Sequence, residues 1–132
     1  MKPRLFLASL AISAVSMAVA VPVWAADAPV KLANGTLVAA NGMTLYTFEA
    51  DKVDSGKSAC NGPCAAVWPP LLAVATEQLA GPYSASLSVV TRDDGARQVT
   101  YKGQPVYFFT ADQKSGDRLG DNFKDVWHVI KD

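Results

Sequence analysis

One stretch of this chain is written twice. Asn41-Gly42-Met43-Thr44-Leu45-Tyr46-Thr47-Phe48-Glu49-Ala50-Asp51 lines up with Lys102-Gly103-Gln104-Pro105-Val106-Tyr107-Phe108-Phe109-Thr110-Ala111-Asp112 at a constant offset of 61 residues. Gly, Tyr, Phe, Ala and Asp coincide, and Leu45 meets Val106. Each copy then runs through a polar loop to a tryptophan, Trp68 in one and Trp127 in the other. Self-similarity of this kind means two supersecondary units, neither able to bury its apolar face alone.

Each unit reads as a β-hairpin. Leu37–Ala40 is a short strand, Asn41-Gly42 a two-residue type I′ turn signal, and Thr44–Phe48 a return strand rich in β-formers. In the second copy, Gln98–Tyr101 leads through Lys102-Gly103 into Pro105–Thr110. Pro105 lacks an N–H, so it belongs at a strand start or an edge. Ser86–Thr91 alternates like a half-buried strand, and Asp94-Gly95 turns it back toward Gln98. Cys64–Trp68 has room for a helical turn that Pro69-Pro70 must end, Glu77–Ala80 for another, and Val126–Ile130 reads as a closing strand. The expected fold is mainly β: a small single domain of two hairpin repeats, at about 37–71 and 98–130, with pseudo-twofold symmetry. Its strands form an antiparallel sheet or barrel, with short helical turns.

The first 25 residues are not part of that fold. Lys2 and Arg4 precede an apolar run, Leu5–Val21, and Val23-Trp24-Ala25 supplies small side chains at the −3 and −1 positions of a cleavage site after Ala25. A secretory signal peptide over 1–25 and a mature domain over 26–132 follow. No cysteine lies at the site to carry a lipid, so the mature chain is expected to be free of a membrane anchor. Losing Lys2 and Arg4 leaves twelve acids against ten bases. A chain with no basic excess has nothing to offset the counterions of a phosphate backbone, so nucleic acid is set aside.

Four sets of residues invite chemistry. Tyr46 with Phe48, and Tyr107 with Phe109, sit two apart and so share one face of a strand. They suit a core whose hydroxyls reach a polar partner at the rim, or an aromatic platform for a ligand; the repeat favours the core, because related rings meet at the centre. Asp51 and Asp112 stand where strand gives way to loop, which suits turn capping through backbone N–H groups, with weak Ca²⁺ binding a distant second. Cys60-Asn61-Gly62-Pro63-Cys64 bends sharply. In the oxidising compartment that export implies, one intramolecular disulfide is the first expectation. The alternatives are a Cu(I) site with His128 or Met43 as a third ligand, and a redox dithiol, although the redox spacing C-x-x-C is absent. His128 lies between Trp127 and Val129 and therefore faces away from both. No Ser/His/Asp or Cys/His set and no phosphate loop stands out, so a non-enzymatic role is expected; a hydrolase using Asp51 or Asp112 is the weakest of the alternatives.

Gly42–Phe48 with Asp51, Ser58–Ala65, Trp68–Leu71, and Tyr107–Asp112 resemble the secreted-repeat family of predicted bacterial lipoproteins marked by a Tyr-x-(Phe/Trp/Tyr)-x-x-Asp motif. Arg92–Gly95, Tyr101–Val106, Gly116-Asp117 and Trp127 extend the likeness over nearly all of the mature chain. The resemblance implies an exported protein in tandem repeats, of unknown function, with no catalytic residue to carry over. Many members look lipid-anchored; this chain departs from them in lacking the cysteine, which points to a periplasmic or secreted location.

Overall fold

A computed structural model describes residues 28–73 and 79–131; the expected leader and the first half of Glu77–Ala80 lie outside the described residues. The strands are β1 (Val30–Ala33), β2 (Thr36–Ala39), β3 (Tyr46–Phe48), β4 (Leu87–Thr91), β5 (Arg97–Tyr101), β6 (Gln104–Pro105) and β7 (Trp127–Val129), with one short helix, α1 (Pro63–Val67). The protein is mainly β, as expected. It is built of small antiparallel sheets, β1-β2, β3-β7 and β4-β5-β6, which do not close into a barrel.

The turns explain the hairpins. At Lys102-Gly103 both residues have positive φ, 49° and 82°, which makes the two-residue type I′ connection that joins Tyr101 to Gln104. Asn41-Gly42 departs from the sequence expectation. Gly42 alone of the pair is left-handed, its N–H bonds the Ala39 carbonyl, and the Ala39 N–H bonds the Met43 carbonyl. The connection is therefore a three-residue loop with glycine at its left-handed position. The cause is the Asn41 side chain, whose Oδ1 takes the Met43 N–H at 3.0 Å and holds Asn41 in an ordinary turn conformation. Asp94 does the same for Ala96 at the β4–β5 turn.

A hairpin that the sequence reading passed over, β1–β2, is closed at Asn34-Gly35, where φ is 51° and 79° and Ala33 pairs with Thr36. It is the counterpart of β4–β5. Of the other strands, β2 and β5 each begin one residue earlier than expected, and β3, β4 and β7 are shorter than expected. The expected return strand Pro105–Thr110 is reduced to β6 and isolated bridges at Tyr107, because the backbone beyond Pro105 bonds to the first repeat instead of continuing the hairpin. The helix α1 ends before Pro69-Pro70, as predicted.

What the sequence does not disclose is that the two repeats exchange strands. β3 of the first repeat pairs with β7 of the second, Tyr46 opposite Val129 and Phe48 opposite Trp127. The second repeat's Tyr107 bridges in turn to Pro70 of the first, and the Phe108 N–H bonds the Pro69 carbonyl. The pattern continues outward. Val99 donates to the Leu71 carbonyl, while Leu37 donates to the Ile130 carbonyl. At the centre, Tyr46 and Tyr107 exchange both backbone hydrogen bonds, at 2.9 and 3.0 Å. That pair marks the pseudo-twofold axis.

Alternation along the strands sorts side chains into two cores. Leu45 and Val106 enter an aliphatic cluster with Val30, Leu37, Val99 and Ile130. Their neighbours Tyr46 and Tyr107 enter an aromatic cluster with Cys60, Trp68, Phe109 and Trp127. Both clusters draw on both repeats, so neither half holds a core of its own.

Candidate functional site

The twin motif residues meet inside the aromatic cluster, and they meet crosswise. The Tyr46 hydroxyl donates to Asp112 Oδ2 at 2.5 Å, and the Tyr107 hydroxyl donates to Asp51 Oδ2 at 2.5 Å. The tyrosine of each repeat is thus bound by the aspartate of the other. The second oxygen of each carboxylate closes its own loop: Asp51 Oδ1 accepts the Ala59 N–H at 2.6 Å, and Asp112 Oδ1 accepts the Leu119 N–H at 3.0 Å. Each aspartate is therefore a loop cap and a cross-repeat anchor at once. Both are buried, at 3% and 7% exposure, so these bonds form in a low-dielectric interior where a charged acceptor is costly to leave unpaired.

The tyrosines do not reach a polar rim. Their hydroxyls lie in the interior, and each has another partner. Tyr46 accepts the Gly120 N–H at 3.2 Å, and Tyr107 shares a 2.5 Å contact with the Ser58 hydroxyl. Burial, reinforced by the carboxylate each phenol bonds, raises both above the ordinary tyrosine range. Burial also raises Asp51 above the usual carboxylate value, against the opposing pull of the Ala59 N–H, Tyr107 and the Arg92 guanidinium.

Arg92 was not singled out from sequence as a site residue. It is 4% exposed, and it donates to Ser58 Oγ at 2.9 Å, to Gln98 Oε1 at 2.6 Å and to the Cys60 carbonyl. Arg92, Ser58, Tyr107 and Asp51 form one buried chain of hydrogen bonds.

Phe48, Trp127, Trp68 and Phe109 stack in a column with successive centroids 4.3, 3.8 and 4.1 Å apart. The two indoles are within 4° of parallel, and the axis passes between them. Tyr46 meets Trp68 edge-on at 5.4 Å, and Tyr107 meets Trp127 edge-on at 5.1 Å. The two ends are closed differently. Cys60 and Cys64 are joined as a disulfide, and both pack against the aromatic cluster. The second repeat's loop carries Phe123 instead, against Trp68 at 5.6 Å and Phe109 at 5.4 Å. Asn122, Lys124 and Asp125 hold it there with positive φ. Gly120 lets the loop approach, since a Cβ there would stand 2.7 Å from the Trp68 ring.

The residues of the alternative metal set are not gathered. The two sulfurs are bonded to each other. His128 lies on the outer side of β7, with Nε2 2.8 Å from Glu49 and Nδ1 3.1 Å from Asn122. No trio of His, Cys, Asp or Glu among the described residues is placed to hold a metal ion. A surface groove of about 530 Å³ runs along β4 to Asp54, Lys102 and Gly103, and none of the motif residues lines it.

The fold and its centre define a β domain of two interlocked repeats, carrying one short disulfide. The chain belongs to the family described as a secreted repeat of unknown function, which matches it over residues 29–72 and again over 88–131. Each match begins at the hairpin strand that precedes the twin motif. No curated protein and no solved structure matches the chain.

Proposed function

We propose that this is a periplasmic, non-enzymatic binding or structural module, exported by a leader cleaved after Ala25 and stapled by Cys60–Cys64. The observation that carries the reading is the reciprocal pairing of Tyr46 with Asp112 and Tyr107 with Asp51. A general acid or base must be able to reach a substrate proton. Here both carboxylates of the motif are buried and committed, each to one phenol and one loop N–H. The cysteines are committed to each other. The motif therefore builds the domain and leaves recognition to its surface.

The test uses protein isolated from the periplasm. Its mass should correspond to residues 26–132 less two hydrogens, with no thiol titrating in denaturant. Asp51→Asn and Asp112→Asn should lower stability, and the wild type should show no hydrolytic or thiol-exchange turnover. A turnover that disappears in a folded Asp51→Asn or Asp112→Asn protein would overturn the proposal.

A further inference from the structure

We propose that the aromatic centre is a one-electron oxidation site, in which a hole entering at Trp68 ends on Tyr46 while the Tyr46 proton moves to Asp112. Oxidising a phenol makes it a strong acid, so the step is easy only where a base already holds the proton. Asp112 Oδ2 does so at 2.5 Å. An indole pair within 4° of parallel and 3.8 Å apart shares a positive charge over two rings, which makes it easier to oxidise than a lone tryptophan. Tyr46 meets that pair edge-on at Trp68. One side chain separates Trp68 from solvent on that side: Phe123, 36% exposed, lies against it at 5.6 Å.

The electrostatics choose between the two tyrosines. The charges that face Tyr46 are the carboxylates of Asp112 and Asp121, which favour loss of an electron there. Tyr107 faces a single carboxylate, Asp51, and that charge is offset by the buried guanidinium of Arg92, bonded to the same Ser58 that contacts the Tyr107 hydroxyl. A positive charge beside Tyr107 opposes its oxidation.

An oxygen-derived radical at the surface accepts one electron and becomes its anion. The electron leaves the Trp68–Trp127 pair and is replaced from Tyr46. The Tyr46 O–H bond breaks, its proton joins Asp112 as a carboxylic acid, and a neutral phenoxyl radical remains. A thiolate donor returns the electron and becomes a thiyl radical, the phenoxyl becomes a phenolate, and the proton moves back from Asp112 to its oxygen.

The experiment oxidises the mature protein with photogenerated tris(bipyridine)ruthenium(III), freezes it and records the radical by electron paramagnetic resonance. A tyrosyl signal is expected that falls at least tenfold in Tyr46→Phe, and by a similar factor in Trp68→Phe and Asp112→Asn. Tyr107→Phe loses an equivalent buried bond, so it controls for destabilisation, and its signal should persist; so should those of Tyr83→Phe and Tyr101→Phe. Absence of a tyrosyl signal, a signal that survives Tyr46→Phe, or one lost in any of the three controls overturns the proposal.

Discussion

Replacing Tyr46 by phenylalanine removes one oxygen and should cost about 3 kcal/mol. The hydroxyl donates to a buried, charged acceptor, Asp112, a class of bond that contributes about 1.5–3 kcal/mol, and its loss also strands the Gly120 N–H for about 1 kcal/mol more. In a domain of this size the change should lower the melting temperature by about 15 °C. The informative measurement is a double-mutant cycle, read by urea denaturation. Tyr46→Phe combined with Asp112→Asn should cost less than the sum of the single changes by about 1.5 kcal/mol or more. Combined with Asp51→Asn, from its own repeat, it should be additive within about 0.5 kcal/mol, because the two share no hydrogen-bond partner. The mirror cycle, Tyr107 with Asp51, should couple in the same way. Coupling within a repeat and none across would refute the crosswise geometry on which the reading of the motif depends.

Four further outcomes are expected. Because Asp51 titrates higher in the folded chain than in the unfolded one, its contribution is fully present below the ordinary aspartate pKa and is lost as pH rises through the folded value. The unfolding free energy of the wild type, relative to Asp51→Asn, should therefore grow as pH is lowered from 7 toward 4. Replacing Cys60 and Cys64 together by alanine should cost about 2 kcal/mol by the chain-entropy relation for so short a loop, leaving a folded protein with a lower urea midpoint. Gly120→Ala drives a methyl group into the Trp68 ring and should destabilise by about 1–3 kcal/mol in the same assay. The parallel Trp68–Trp127 pair should give an exciton couplet in circular dichroism that vanishes in either single Trp→Phe variant while the protein stays folded.

The hairpin at Lys102-Gly103, the turn at Asp94-Gly95, the stop at Pro69-Pro70 and the short disulfide were all legible from sequence, because each is governed by residues within a few positions of one another. Asn34-Gly35 was equally legible. It obeys the rule applied at Asn41-Gly42, and it stands one repeat before Asp94-Gly95. The crossed pairing was not legible, since identical motifs cannot reveal whether Tyr46 meets its own Asp51 or the other repeat's Asp112. Arg92 escaped for a different reason. A lone arginine near a turn carries no periodic signal, and only the folded chain brings Ser58, Gln98 and the Cys60 carbonyl around it. Phe123 is set against Trp68 and Phe109 by a loop conformation that composition does not announce.

The exchanged strands bear on ancestry. A gene encoding one unit would specify half an interior, with β3 lacking its neighbour and a tryptophan lacking the other's face. Such a peptide reaches a stable state only as a homodimer, and dimers dissociate on dilution. Fusing two units end to end makes the encounter intramolecular, so folding no longer depends on protein concentration. Once tethered, the halves were released from being identical. One now carries a cystine, and its Ser58 meets an embedded guanidinium; the other carries an aromatic plug on a left-handed loop.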